Sequence, residues 1–316
     1  MQMREIGRSG LKVSPVCLGG NVFGWTADER ASFAVLDAFI AGGGNFIDTA
    51  DVYSTWAPGH IGGESETVLG RWMKSRGNRD QVIIATKVGS DMGNGRKGLK
   101  AAYIASAVQD SLRRLQTDYI DLYQSHRDDE GTPQEETLEA YAKLIKAGAV
   151  RAIGASNFTA ARLKSALDIS AANGLPRYEC LQPEYNLYDR EEYERDLEPL
   201  CRKQQLGVIG YFALASGFLS GKYRSEADFN KSQRGEDMGK YLNERGLRIL
   251  KALDEVAAEH RATPAQVAIA WQKARPSITA PIVSATKPEQ VKDIVAAMRL
   301  ELPAAAIETL DLASTY

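Results

Sequence analysis

Three cysteines in 316 residues, Cys17, Cys180 and Cys201, are too few and too scattered for a disulfide framework. None belongs to a Cys-x-x-Cys, so reduced thiols and a cytoplasmic setting are expected. Cys17 and Cys180 fall in apolar, strand-like runs and read as inert. No apolar run approaches the length needed to span a membrane. The opening Met1-Gln2-Met3-Arg4-Glu5 has no apolar core of a signal peptide. A net charge of −2 offers no positive excess to nucleic acid or to an acidic membrane. His60 and His260 have no partners at ligand spacing, which makes them surface positions rather than metal ligands. The Gly-rich turn Gly19-Gly20-Asn21-Val22-Phe23-Gly24 lacks the G-x-G-x-x-G spacing of a dinucleotide-binding Rossmann unit. With 44% apolar and 25% charged residues, the composition is that of an ordinary globular protein.

What the chain does have is alternation. Arg4–Ile6 and Leu11–Val13 flank Gly7-Arg8-Ser9-Gly10, which predicts an N-terminal hairpin. Strand-like Ser14–Gly19 follows, then helix-like Asp28–Ala41, strand Asn45–Ala50, helix Glu64–Ser75 and strand Val82–Thr86. Next come helix Lys100–Leu115, strand Ile120–Ser125, helix Glu135–Lys146, strand Ala149–Ala155 and helix Thr159–Ala172. Strand Cys180–Tyr185, helix Glu194–Gln205 and strand Val208–Ala213 lead into an irregular Gly/Ser-rich segment, Ser216–Gly239. Helices Arg245–His260 and Pro264–Arg275, strand Ile278–Ser284, and helices Pro288–Met298 and Pro303–Ala313 end the chain. Eight strand-helix units in series predict a parallel sheet with helical crossovers. A closed (β/α)₈ TIM barrel with an N-terminal hairpin and extra C-terminal helices fits better than an open doubly wound sheet. No linker divides residues 1–316, so one domain is expected.

Three of these strands end on reactive side chains. Asn45–Ala50 runs into Asp48 and, five residues beyond that, Tyr53; Val82–Thr86 stops at Lys87; Tyr119–Ser125 stops at His126. In a barrel all strand ends face one mouth, so the four would converge. A phenol beside an ammonium is expected to have a lowered pKa, making Tyr53 a working acid. Asp48 can hold Lys87, and His126 can donate to a carbonyl oxygen as charge develops there. The set contains no nucleophile-base pair, metal cage or phosphate cradle. It suits redox at a carbonyl, with hydride from a cofactor. Taken singly, each residue has a bland explanation: a turn cap, a core aromatic, a solvated cation, a structural imidazole. Four at matching strand ends make a site. Asp48 with Asp51 could be a glycosidase pair, but residues three apart on an extended run point to opposite faces.

Asp48-Thr49-Ala50-x-x-Tyr53, Ala85-Thr86-Lys87 and Asp121-Leu122-Tyr123-Gln124-Ser125-His126 together resemble the signatures of the aldo-keto reductase superfamily. Gly154–Phe158, Gln182–Asn186, Gly207–Tyr211 and Gly217–Tyr223 extend the resemblance to nearly the whole chain, nearest to bacterial reductases grouped with potassium-channel β subunits. That resemblance implies NADPH, with NADH as the lesser choice, lying across the barrel mouth. It implies Tyr53 as general acid, with Lys87, Asp48 and His126 in support. Ser156, Asn157 and Gln182 match positions that bond the nicotinamide carboxamide, and Tyr211 the aromatic that stacks on its ring. Phe212, Leu214, Ser216, Gly217, Leu219, Gly221 and Lys222 fall where the family wraps the pyrophosphate. Phe212 keeps a backbone N–H there but lacks the usual serine hydroxyl. Gly20, Asn21, Ser284, Thr286, Lys287, Gln290, Asp293 and Ile294 complete the implied cofactor set. Within it, Ile294 replaces an adenine-contacting Asn, Gln290 replaces an Arg, and Lys287 remains as a phosphate partner.

Trp25, Trp56 and Arg127, with Tyr53 and His126, would line the substrate pocket, an aromatic one suited to carbonyls with a ring or other apolar portion. The Gly89–Gly98 loop reads as a flap at the mouth. The expected partner is a small carbonyl or alcohol, not a nucleic acid or a membrane, and no signal bears on oligomeric state. Two rivals share these residues: an NADPH-binding sensor subunit with slow turnover, and an aldolase using Lys87 as a Schiff-base nucleophile.

Overall fold

A strand sends successive side chains to opposite faces, and here both faces are buried. The computed structural model describes residues 2–231 and 235–316. A short hairpin of β1 (Arg4–Glu5) and β2 (Lys12–Val13) opens the chain. Then come β3 (Cys17–Gly19), α1 (Glu29–Ala41), β4 (Phe46–Asp48), α2 (Glu64–Arg76), β5 (Ile83–Val88) and α3 (Ala101–Leu115). β6 (Ile120–Ser125), α4 (Gln134–Lys146), β7 (Val150–Ser156), α5 (Ala160–Asn173), β8 (Tyr178–Gln182), α6 (Glu198–Gln204) and β9 (Gly207–Val208) continue the alternation. Helices α7 (Glu244–Glu259) and α8 (Pro264–Ala274) precede β10 (Ile282–Val283), and α9 (Pro288–Arg299) and α10 (Ala304–Ala313) follow it.

The eight strands β3–β10 pair in parallel in the order β10-β3-β4-β5-β6-β7-β8-β9. Hydrogen bonds between the two end strands close the sheet. The amides of Thr279 and Ala280 both reach Val208 O, at 2.8 and 3.2 Å, and Ile282 N reaches Gly210 O at 2.8 Å. The result is the expected (β/α)₈ barrel. Local chemistry sets the helix starts: Asp28, Thr159, Asn243 and Thr263 each accept an amide from the first turn of the helix they precede.

Inside the barrel, Cys17, Phe46, Ala85, Leu122, Ala152, Cys180, Ile209 and Ile282 form one apolar layer. Their strand neighbours Leu18, Ile47, Ile84, Tyr123, Ile153, Leu181, Val208 and Val283 point outward and pack under the helices. The hairpin plugs the N-terminal end of the barrel with Ile6, Leu11 and Val13. A Cβ on Gly207 would stand 2.8 Å from the Gly7 amide nitrogen, so this close approach requires glycine.

Several expected elements differ, among them helix Glu194–Gln205, which opens as a π-helical turn at Tyr193–Leu197 before α6. Strand Ile278–Ser284 shrinks to Ile282–Val283, because Pro281 lacks an N–H and the amides of Thr279 and Ala280 converge on one carbonyl. Strand Val208–Ala213 ends early and is continued only by a bridge from Tyr211 to Glu184. The irregular segment contains 3₁₀ turns at Ala215–Ser220, Glu226–Lys231 and Gly235–Tyr241, and its residues 232–234 lie outside the described residues. Among the described residues, no helix is long and apolar enough to cross a membrane.

Candidate active site

One step beyond the apolar layer, the inward positions become polar. Asp48 follows Phe46 by two, Lys87 follows Ala85, Gln124 follows Leu122, and Gln182 follows Cys180. Register puts Lys87 opposite Gln124, so these side chains meet inside the C-terminal end of the barrel. Asp48 Oδ2 accepts from Lys87 Nζ at 2.7 Å and from Tyr53 Oη at 3.1 Å. Its Oδ1 accepts from Gln182 Nε2 at 2.9 Å and from Gln124 Nε2 at 3.3 Å. Lys87 Nζ also donates to Thr49 O at 2.8 Å and to Tyr53 Oη at 2.7 Å. Both members of this ion pair are buried, and each has its hydrogen-bonding capacity used. That is the condition under which a buried pair is tolerated.

The phenol's surroundings correct one expectation. Burial, and then the Asp48 charge, push the Tyr53 pKa well above its ordinary value instead of lowering it. Tyr53 is therefore protonated, a stored proton with its oxygen fixed between Lys87 and Asp48. His126 is half-buried, with its ring centroid 6.1 Å from that of Tyr53. Burial, with Lys87 and Arg127 nearby, holds its pKa well below the ordinary histidine range. Its Nδ1 is buried and has no partner. The imidazole is neutral.

Around this centre, Trp56 meets Tyr53 edge-on at 5.9 Å and Trp25 at 5.5 Å, and Arg127 is exposed. The loop at 89–98 closes at its base through Gly98 N to Gly89 O, 3.0 Å. It also leans on the Tyr53 loop, for a Cβ on Gly62 would stand 2.6 Å from Met92 Cε.

Residues 15–314 match the aldo/keto reductase family. The chain belongs to that family, whose members are oxidoreductases that use nicotinamide cofactors. It is 34% identical to the uncharacterized oxidoreductase YrpG of Bacillus subtilis, covering 96% of this chain and 92% of that protein. A probable voltage-gated potassium channel subunit beta of Oryza sativa subsp. japonica is 33% identical, with 98% and 95% covered. A norsolorinic acid reductase of Aspergillus flavus is 32% identical, with 98% and 79% covered.

The cofactor positions implied by the family resemblance form a chain of contacts from the centre outward. Ser156 Oγ donates to Gln182 O at 2.8 Å, Asn157 Nδ2 donates to His126 O at 2.9 Å, and Tyr211 Oη donates to Asn157 Oδ1 at 2.9 Å. The loop beyond Tyr211 turns through left-handed backbone at Phe212, Ala215, Ser216, Gly217 and Gly221. For Phe212 that conformation is strained. It is held by Asn186 Nδ2 and Ala215 N, which donate to Phe212 O at 3.1 and 2.7 Å. Lys222 is exposed, with its ammonium end against Gly217. Leu214 is partly buried, and its carbonyl accepts from Gly217 N and Leu219 N at 2.8 and 3.2 Å. Across the mouth, Ser284 Oγ donates to Asn21 Oδ1 at 2.5 Å, beside buried Gly20.

Other positions are already committed. Gln290 Oε1 caps α9 by accepting from Thr286 N, Thr286 Oγ1 and Lys287 N, which leaves Lys287 as the exposed cation. Asp293 accepts from Gln266 at 2.7 Å. Ile294 and Leu219 are buried in the core, so neither offers a side chain to a ligand. For Ile294 this corrects the expected adenine contact. Amide side chains at the centre, an open aromatic ring, a looped backbone and a lysine at a helix start fit an extended dinucleotide.

The thiols of Cys17 and Cys180, in the layer below Asp48, are free and raised by burial. Sequence reasoning missed Gln124, which shares Oδ1 of Asp48 with Gln182. Strand alternation from Leu122 points to it. Gly154 faces it in register, and a Cβ there would stand 3.0 Å from Gln124 Cγ.

Proposed function

We propose that the protein is a nicotinamide-dependent reductase of aldehydes or ketones, running reversibly as an alcohol dehydrogenase, with Tyr53 as the general acid. The observation that carries this reading is the 2.7 Å contact between Lys87 Nζ and Tyr53 Oη, made where the phenol also touches Asp48. When bound, the cofactor supplies hydride to a carbonyl carbon. Tyr53 Oη gives its proton to the carbonyl oxygen. The phenolate left behind is stabilised by the ammonium already in contact with it. His126, neutral, would donate from Nε2 to the same carbonyl oxygen, so two donors meet the developing charge. Ser156, Asn157 and Gln182 would hold the carboxamide, Tyr211 the ring, the 212–222 loop the pyrophosphate, and Lys287 a 2′-phosphate. The last contact makes NADPH the favoured form over NADH.

The wall of Trp25, Trp56 and Tyr53 favours carbonyl compounds carrying a ring. Three buried free cysteines and ordinary charge accord with a cytoplasmic enzyme of one domain. An aldolase role for Lys87 is disfavoured. All three of its donor positions are used, and a nucleophilic amine needs a free lone pair. The sensor reading has a relative in its favour, the probable channel β subunit, and differs in turnover.

The test is steady-state reduction of ring-bearing and aliphatic aldehydes with NADPH and NADH in parallel. Sustained turnover, faster with NADPH, is expected. A single slow burst would favour the sensor, and no oxidation of either cofactor would end the reductase reading.

A further inference from the structure

Three residues beyond Asp48 the chain carries a second buried carboxyl that the mechanism above does not use. Asp51 is 2% exposed, in the turn that follows β4. Its Oδ1 is buried and has no hydrogen-bond partner. Beside it Glu66 of α2 is fully buried. Glu66 Oε1 accepts from Thr86 Oγ1 at 2.6 Å and Oε2 from Arg114 Nε at 2.7 Å. Arg114 of α3 spends its Nη2 on Ser111 Oγ at 3.3 Å. From the other packed elements, Lys87 of β5 turns its ammonium inward to Asp48. Tyr103 of α3, Tyr123 of β6 and Tyr141 of α4 bring only phenols, and Asp110 of α3 is a further carboxylate near Arg114. Two buried carboxyls thus lie near one guanidinium, and the ion pair it makes is with Glu66. Glu66 has both the guanidinium and a hydroxyl donor, so the proton of the pair belongs on Asp51.

The position matters because Asp51 stands between the Lys87 strand and the Tyr53 turn. Its amide donates to Lys87 O at 3.4 Å, and the Tyr53 amide donates to Ala50 O at 3.4 Å. Ser54, next in the turn, is held in left-handed backbone. A negative charge on Asp51 would be unpaired in a dry site beside Glu66. Relief requires drawing the carboxylate toward water, and the turn that carries Tyr53 moves with it.

We propose that Asp51 is a positioning residue of the reductase, working in its protonated form, and that loss of its proton, not that of Tyr53, ends activity on the alkaline side. This rests on Tyr53 being the acid. Burial, and then the Glu66 charge, push the Asp51 pKa up to about 8, while Tyr53 stays protonated well beyond that.

The test is kcat/KM from pH 6 to 10 with 4-nitrobenzaldehyde and NADPH for the native enzyme, Asp51→Asn, Asp51→Leu and Glu184→Gln, with thermal unfolding of each from pH 5 to 9. Glu184 is included because its own carboxyl is raised to about 7. Native kcat/KM is expected to fall about tenfold per unit above the Asp51 titration. Either neutral Asp51 variant is expected to flatten that limb, and Glu184→Gln to leave it in place.

Unfolding gives an independent reading. The folded carboxyl keeps a proton that the unfolded chain has lost, so native stability falls as pH rises from about 4 to about 8, and the Asp51 variants lose that part of the slope. A merely structural Asp51 would lower activity by one factor at every pH and leave the limb, which overturns the proposal. Loss of the limb in Glu184→Gln overturns it too. Should the native protein show no turnover, the reductase reading fails. The unfolding slope then still decides whether Asp51 holds the proton.

Discussion

The ammonium of Lys87 lies 2.7 Å from the phenol oxygen of Tyr53, although 34 residues of chain separate them. β4 and β5 are adjacent in the sheet, and both residues sit at or just past the same end of it. The contact is therefore a product of barrel register. It also makes each residue's substitution informative about the other.

Lys87→Met removes the cation from a buried Asp48. An uncompensated buried charge costs roughly 3–5 kcal/mol, so the variant is expected to unfold at a clearly lower temperature and to lose most of its activity. Asp48→Asn combined with Lys87→Met removes both charges. It should recover much of the stability and none of the turnover, as read by calorimetry and cofactor oxidation on the same preparations. Equal instability of the single and double variants would contradict the pairing.

His126 is held neutral, so its folded pKa lies below the ordinary value of about 6.5. The unfolded chain takes up this proton first, and stability attributable to His126 is lost as pH falls through about 6.5. His126→Asn should remove that part of the acid-side slope in denaturant unfolding at pH 5.5 and 7.5. Its kcat should fall by about 10²–10³ at both values, the usual loss for one donor to a developing oxyanion. A loss much larger at pH 5.5 than at pH 7.5 would show instead that an imidazolium is required.

Trp56 is half exposed and edge-on to Tyr53. Trp56→Ala is expected to raise KM for benzaldehydes by about tenfold, the worth of roughly one aromatic contact, while leaving short aliphatic aldehydes nearly unchanged. Equal effects on both substrate types would remove Trp56 from the pocket.

The order of strands and helices was legible because each element keeps its own period. Asp28, Thr159 and Thr263 announce the helices they cap, and Leu122 to Gln124 shows the two-residue step that fills the barrel. Other features depend on several elements at once. Ile278–Ser284 reads as a long strand, yet its pairing is set by which amides can reach Val208 O. The Tyr53 pKa was read in the wrong direction because Lys87 is visible in the sequence, whereas burial and the contact with Asp48 on the same oxygen are not. Asp51, Glu66 and Arg114 come from a loop and two helices, and no local spacing joins them. Ile294 has the right place in the last unit, but helix phase turns it into the core.

The most direct measurement is turnover and cofactor binding by Tyr53→Phe. Tyr53→Phe keeps the ring and its contact with Trp56 and removes only the oxygen held by Lys87 and Asp48. Steady-state reduction of 4-nitrobenzaldehyde should fall to background, while NADPH affinity, followed by fluorescence titration, stays within about threefold, a change worth less than about 1 kcal/mol. Near-native turnover in this variant would show that the proton comes from elsewhere and would contradict the assignment of Tyr53 as the acid.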